Sequence, residues 1–306
     1  MASAGPIADA EQRHRLTGVA YRLLGSLSEA EDAVQEGYTR WYTLPPAQRS
    51  AVASPSSWLT TVVSRVCLDM LGSARSRRER YVGPWLPEPL SADAIGWTSL
   101  SRNPAGADPL DLLSLDESLS MALLTVLERL TPAERVAFVL HDVFGYPFAD
   151  ISEITGRKPG ACRQLASSAR QRVHAERRAE ISPDDLARTV AAFKHAWEQG
   201  DLDGLIDQLD SEATATIDGG GKVSAALTPL TSPEQIARFF LNVYQRQPDL
   251  TIHETAINGR PGLIASDSNG RALAACSFAM AGQRISDIWV VRNPDKLTAW
   301  SHPTQS

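Results

Sequence analysis

The chain has 306 residues, a formal net charge of −6, 43% apolar residues and 22% charged residues. That is the composition of a folded protein with room for about two domains, and it excludes a wholly disordered or collagen-like chain. No apolar run approaches the roughly 18 residues of a transmembrane helix. Met1 to Glu11 lacks the basic flank and apolar core of a signal peptide, so a cytoplasmic protein with no membrane partner is expected. Cys67, Cys162 and Cys276 are far apart and odd in number, which predicts neither a disulfide framework nor a metal site.

In chain order, Leu16, Val19, Ala20, Leu23 and Leu24 recur at helical spacing, with a stop at Gly25. Ser28 and Glu31 form a capping-box pattern for a helix from Glu29 to about Tyr42, ended by Pro45-Pro46. Ser54-Pro55 opens a third helix through Trp58, Leu59, Val62, Val63, Val66 and Met70. Residues 83–109 hold five prolines and two tryptophans, which predicts a linker, apolar enough to dock on a surface. Residues 110–178 are helical again. Thr131-Pro132-Ala133-Glu134 is a second capping box, the run Val136 to Phe144 follows, and a short helix from Pro147 to Thr155 stops at Gly156. The next helix runs from Pro159 through Val173. From residue 182 the pattern changes. Ser182-Pro183 starts a helix broken at Gly200-Asp201, and Ser232-Pro233-Glu234-Gln235 starts another. Around it lie strand-like runs at Ala213–Ile217, Leu250–Ile257, Gly262–Ser266, Ala272–Met280 and Arg284–Val291, read as an α+β domain with a late run of antiparallel strands.

The acidic total hides an asymmetry. Residues 1–82 carry net +2, 83–115 net −3, 116–180 net 0 and 181–306 net −5. Within these, residues 157–178 reach +6 and residues 62–82 reach +3. Both stripes end helical segments, which points to nucleic acid. Residues 147–173 have the two-helix, short-turn layout of a helix-turn-helix. Ile151 and Ile154, then Cys162, Leu165, Ala169 and Val173, face inward. Arg163, Gln164, Ser167 and Arg170 are left outward, suited to base edges and phosphates, with Lys158 near the helix start. In the second helix Asp32, Gln35 and Glu36 share one face. In the third, Trp58, Thr61 and Arg65 share a stripe followed by Arg75, Arg77, Arg78 and Arg80, a mix that suits an unstacked single strand.

Three motifs in this order resemble the sigma-70 family of bacterial transcription initiation factors, specifically its extracytoplasmic-function (ECF) class, over residues 11–176. Ala30 to Tyr38 is similar to the region 2 helix that binds the clamp helices of RNA polymerase. WLTTVVSRVCLDMLGSARSRRER, from Trp58 to Arg80, is similar to the part that melts and reads the −10 element. Residues 131–173 resemble region 4, whose recognition helix reads the −35 element. Ser168 stands where the family commonly has arginine, and Gly72 where a basic residue is frequent. Trp85-Leu86-Pro87-Glu88-Pro89, Asp218-Gly219-Gly220-Gly221-Lys222 and Asn293-Pro294-Asp295-Lys296-Leu297 resemble signature segments of the subgroup with a fused SnoaL-like C-terminal domain.

The resemblance implies two all-α sigma domains, a region 2 bundle over 8–82 and a region 4 helix-turn-helix over 116–178. Residues 83–115 are then the linker, and 183–300 an α+β SnoaL-like (nuclear-transport-factor-2-like) cone. It implies core RNA polymerase, through its β′ clamp helices and β flap, and promoter DNA as partners. The fused domain tunes activity, so no separate anti-sigma factor is required and no cofactor is expected. Trp85, Pro87, Asp218, Gly220, Lys222, Asn293, Asp295 and Lys296 are the expected interdomain regulatory residues, with the fused domain packed on the sigma portion, the glycine turn against the sigma region or the linker, and Lys222 and residues 293–297 near the joint. Enzymes of the cone fold use acid and base groups, for which His195, Asp218, His253 and Asp287 are the candidates here, yet no spacing pairs any two of them. DGGGK lacks the phosphate-loop pattern. The reading is a transcription initiation factor and not an enzyme. Its alternative is a ligand-responsive DNA-binding regulator, or a SnoaL-like enzyme with a DNA anchor.

Overall fold

Glycine, proline and small hydroxyl residues divide this chain into short helices. The structure, a computed structural model, describes residues 10–78, 81–92, 94, 117–176 and 182–300, the side chains of 74–78 and 176 excepted. The described residues form two compact units, one of residues 10–78, 94, 117–119 and 123–176, the other of 81–92, 120–122 and 182–300.

The first unit opens with α1 (Ala10–Leu24), α2 (Leu27–Thr43), α3 (Pro46–Ala51) and α4 (Pro55–Arg78). Gly25 ends α1 in the left-handed region, φ +71, and its N–H donates to Tyr21 O at 2.7 Å. That reversal leaves Ser26 as the extended residue, and its Oγ accepts from Glu29 N. The cap of α2 is therefore Ser26, not the expected Ser28, and the helix starts at Leu27. Leu16, Val19, Leu23, Ala30, Leu59 and Val63 are fully buried between α1, α2 and α4. Each larger aliphatic contributes about 1.5–3 kcal/mol. Gly37 sets how closely α2 meets α4, since a Cβ there would lie 2.5 Å from Val63 Cγ2.

The second part of this unit holds α5 (Met121–Glu128) from Leu123 on, α6 (Pro132–Phe138) running into a π turn at Val139–Val143, α7 (Phe148–Thr155) and α8 (Pro159–Glu176). The predicted capping box is formed: Thr131 Oγ1 accepts from Glu134 N at 3.4 Å, and Thr131 N donates to Glu134 Oε2 at 3.0 Å. Gly156 caps α7 at φ +66. Ile151, Ile154, Cys162, Ala166, Ala169 and Val173 are buried. Leu165, expected on that inner face, is half-buried, and the smaller Ala166 takes the place where α8 packs on α6. Arg135 is buried and donates from Nε to Leu127 O at 2.7 Å and from Nη1 to Leu23 O at 2.8 Å, while pairing with Glu128. A guanidinium thus satisfies a carbonyl at the C-terminal end of α1.

The second unit contains α9 (Pro183–Gln199), α10 (Leu202–Gln208), β1 (Leu209–Asp218), α11 (Pro233–Arg246), β2 (Thr251–Ile257), β3 (Arg260–Ser266), β4 (Ala272–Ala281) and β5 (Arg284–Val291). Ser182 and Ser232 cap α9 and α11, and Gly200 ends α9 at φ +68. The five-stranded sheet has the order β1-β5-β4-β3-β2. β2 to β5 are antiparallel as expected, but β1 pairs parallel with β5. The long return through α11 permits this pairing. Helices and sheet enclose Phe193, Trp197, Phe240 and Phe278, with Phe193–Phe240 and Trp197–Phe240 ring centroids 5.1 and 4.8 Å apart. This is the expected α+β cone. The described stretch 83–92 of the expected linker is not a free span, and it belongs to this unit together with residues 81 and 82 of the expected region 2. Leu86 packs with Ile257, Ile264, Val291, Leu297 and Trp300 in a core of this unit.

Candidate functional site: two nucleic-acid helices, an acidic face and a linker joint

On α2, Asp32, Gln35 and Glu36 are all exposed on one face. Ala33, Val34, Gly37 and Tyr38 fill the opposite side. Glu36 pairs with Arg40 at 2.7 Å, an exposed contact worth little. On α4, Trp58 is half-buried with its ring 5.2 Å from that of buried Trp41, and Thr61 is half-buried beside it. Arg65 is exposed, but its Nη2 donates to Glu153 O of α7 at 2.6 Å. The backbone of α4 continues to Arg78. The side chains of Arg75, Arg77 and Arg78, and the whole of Arg80, lie outside the described residues. Gly72 is exposed, with open space around a Cβ.

On α8 the burial of Cys162, Ala166, Ala169 and Val173 leaves Arg163, Gln164 and Ser167 exposed. Lys158 is exposed just before the helix, and its carbonyl receives the first helical N–H groups. Arg163 also stacks over Phe148, 5.2 Å from the ring centroid. Arg170 stands on the flank and is held by buried Asp142, with Nε on Oδ1 at 2.6 Å. Gln171 was not among the expected residues. It is exposed and follows Gln164 and Ser167 at helical spacing, a signal the sequence carried. Ser168 points inward and donates to Glu134 Oε1 at 2.9 Å. Arg172 pairs with Glu134 Oε2 at 3.2 Å.

In the second unit the expected joint residues come together around one carboxylate. Asp218 is fully buried at the end of β1. Its Oδ1 accepts from Tyr81 Oη at 2.6 Å, and its Oδ2 from Leu86 N at 2.9 Å and Lys296 Nζ at 2.7 Å. Lys296 Nζ donates to Leu86 O as well and lies 4.1 Å from the Trp85 ring centroid. Burial and the neighbouring Asp218 carboxylate push the Tyr81 hydroxyl far above its usual range, so it stays a donor. Asn293 Nδ2 donates to Tyr81 Oη at 2.8 Å. Gly220 holds φ +61, and a Cβ there would meet Asn293 Nδ2 at 2.4 Å. Lys222 pairs with Asp295 at the surface. Pro87 is buried in the docked segment. Three partners that sequence reasoning missed extend the joint. Trp300 Nε1 donates to Pro89 O at 2.9 Å, Asn258 exchanges hydrogen bonds with Leu90, and Tyr81 closes the network.

The acid–base candidates are scattered. His195 and His253 are exposed. Asp287 accepts from Thr214 Oγ1 and Ser286 Oγ, and Asp218 belongs to the joint. Among the described residues, no group of three or more His, Cys, Asp or Glu is placed to hold a metal ion, and no helix is long and apolar enough to cross a membrane.

Comparison with known proteins identifies the family. The sigma-70 region 2 model matches residues 10–77, and the sigma-70 region 4 model matches 120–173. The chain is 38% identical to the ECF RNA polymerase sigma factor SigJ of Mycobacterium tuberculosis, covering 94% of this chain and 91% of that protein. It is 32% identical to the probable ECF RNA polymerase sigma factor SigI of the same species, covering 97% of each. The crystal structure of the M. tuberculosis SigJ protein superposes with a TM-score of 0.72 at 32% identity, over 94% of this chain and 96% of that one. With region 2, region 4 and the cone in one chain, the protein belongs to the extracytoplasmic-function sigma factors of the sigma-70 family with a fused SnoaL-like domain, transcription initiation factors that bind core RNA polymerase and promoter DNA.

Proposed function

We propose that α2 presents Asp32, Gln35 and Glu36 to the β′ clamp helices of core polymerase, and that region 4 docks on the β flap. Trp58, Thr61, Arg65, Arg75, Arg77, Arg78 and Arg80 then capture the −10 strand. An aromatic and basic surface repays unstacking by stacking and phosphate contact. Arg65 has to leave Glu153 O to do so, a bond worth about 1.5–3 kcal/mol for a charged donor. Lys158, Arg163, Gln164, Ser167 and Arg170, with Gln171 added, meet the −35 element in the major groove. The work is done in the cytoplasm.

The cone acts as a built-in regulator and not a catalyst, because its acid–base groups converge on no common cavity. No separate anti-sigma factor is then needed. The observation that carries the regulatory reading is the buried Asp218, which spends both oxygens on the linker and on Lys296. A carboxylate whose partners lie in a linker between two DNA-reading regions is a device for setting that linker's state. The test is run-off transcription with core polymerase, comparing wild type, D218N and a chain ending near residue 180. Defined transcripts whose yield changes in D218N support the reading. Identical yields from all three would reject the cone as regulator.

A further inference from the structure

We propose that in the free chain region 4 latches onto α4 and withholds the −10 reader while the polymerase and −35 faces stay available, an inference that rests on the −10 role given to α4 above. At 3.4 Å per base pair, positions −35 and −10 of a promoter lie about 85 Å apart. In the structure α7, the first helix of the helix-turn-helix, packs directly on α4, and α8 packs on α7. Two helix-packing distances come to about 20 Å. This arrangement cannot meet both elements at once, so regions 2 and 4 have to part before both are read.

The latch is a shaped turn. After the π turn Gly145 takes φ +67, and Tyr146 N donates to Leu140 O at 2.8 Å. His141 Nδ1 donates to Tyr146 O at 3.0 Å. π turns recur at functional places in helices, and this one fixes the backbone that presents Tyr146 to region 2. Arg15 of α1 donates to Tyr146 Oη and lies over its ring, 5.7 Å from the centroid. Thr60 of α4 donates to Ser56 O and accepts from Tyr146 Oη at 3.3 Å. On the same turn, the Phe144 ring centroid lies 5.3 Å from the guanidinium of buried Arg22 of α1. Further along α4, Arg65 is tied to Glu153 O of α7 at 2.6 Å. The latch is selective in what it withholds. Asp32, Gln35 and Glu36 on α2 and Arg163, Gln164 and Ser167 on α8 are all exposed. The closed chain thus keeps its docking faces and holds back Arg65. Core polymerase, by seating the two regions on separate sites, supplies the cost of opening, so the latch gates melting and leaves recruitment free.

Pulsed electron paramagnetic resonance on the full chain reads the closed state. Spin labels go at Gln48→Cys and His174→Cys, both exposed and outside the proposed DNA and polymerase contacts. Cys67, Cys162 and Cys276 are buried and stay unlabelled. One narrow distance is expected in the free chain, and core polymerase is expected to lengthen it. Fluorescence anisotropy at low salt reads the gate, with a −10 single strand and a −35 duplex taken from a promoter that run-off transcription identifies. Y146F, and R15Q from the region 2 side, are expected to bind the single strand about fivefold more tightly than wild type, the worth of one hydrogen bond in a closed-to-open equilibrium. Affinity for the −35 duplex is expected to stay unchanged. A broad distance distribution in the free chain, no lengthening with core polymerase, or no gain in either variant would overturn the latch. R65A placed in Y146F separates the two readings. Loss of the gained affinity supports both. An affinity equal to that of Y146F would sink the −10 role of Arg65 while the latch stands on the measured distance.

Discussion

Glu134 shows how one carboxylate holds α8. It accepts from Thr131 N at 3.0 Å, Thr131 Oγ1 at 2.8 Å, Ser168 Oγ at 2.9 Å and Arg172 Nη1 at 3.2 Å. Burial pushes its pKa up, but the hydrogen bonds from Thr131 and Ser168 and the Arg172 charge outweigh this and hold it below the ordinary 4.5. A carboxyl depressed in the folded state stabilises the fold above its unfolded pKa. That stability is lost as pH falls through the lower folded value. The urea midpoint of the protein is therefore expected to drop as pH is lowered below 4.5, with part of the slope absent in E134Q. At neutral pH, E134Q is expected to cost about 1–3 kcal/mol, since it weakens charge-assisted bonds to a buried group. Denaturant titrations of both proteins across this pH range would check it. Ser168 also gains a reason here. It stands where the family commonly has arginine, and in this chain it serves the carboxylate beneath the helix.

At the scale of the element, α8 divides its side chains by face. Arg163, Gln164 and Ser167 stand outward, Gln171 continues their line, and Arg170 and Arg172 are tied to acids on the flanks. Substituting Gln164 or Arg163 by alanine is expected to cost about 1–3 kcal/mol at a favoured −35 base and to relax preference there. Lys158→Ala is expected to weaken binding evenly across sequences and to lower the salt slope by about one. Run-off transcription over a −35 mutant panel at several salt concentrations separates the two behaviours. This division was largely legible in the sequence, because local signals set it: the Thr131 box, the Gly156 stop and the small-residue stripe of α8. The caps at Ser182 and Ser232 were legible for the same reason. What local pattern did not carry was non-local. The parallel pairing of β1 with β5 joins strands separated by α11 and three strands, and periodicity is blind to pairing direction. The start of α2 at Leu27 turned on which of two serines follows the left-handed Gly25, a choice of backbone rather than of side chain. The short α10, capped by Asp201, lay inside what read as a break.

At the scale of the whole molecule, a chain of net −6 is expected to have little nonspecific attraction for DNA, and the proposed promoter contacts fall on two short basic stripes. The proposed control acts on the segment joining those stripes, part of which the joint holds. Its motif residues were named by resemblance. Tyr81, Asn258 and Trp300 were not, because their partners lie 137, 168 and 211 residues away in the chain. The joint makes a sharp energetic prediction. Asp218 and Lys296 are a buried pair, and removing one charge strands the other at a cost of about 3–5 kcal/mol. D218A and K296A should each free residues 81–92 to protease and shift transcript yield. The double variant D218A/K296A leaves no stranded charge at this pair, so its protease sensitivity should fall well short of the sum of the singles. Leu86 packing in the apolar core of the cone and the Trp300 hydrogen bond to Pro89 remain in all three variants and keep the segment partly docked. Additive sensitivity would mean that the two residues act through separate partners, and the buried pair would then not be what holds the linker.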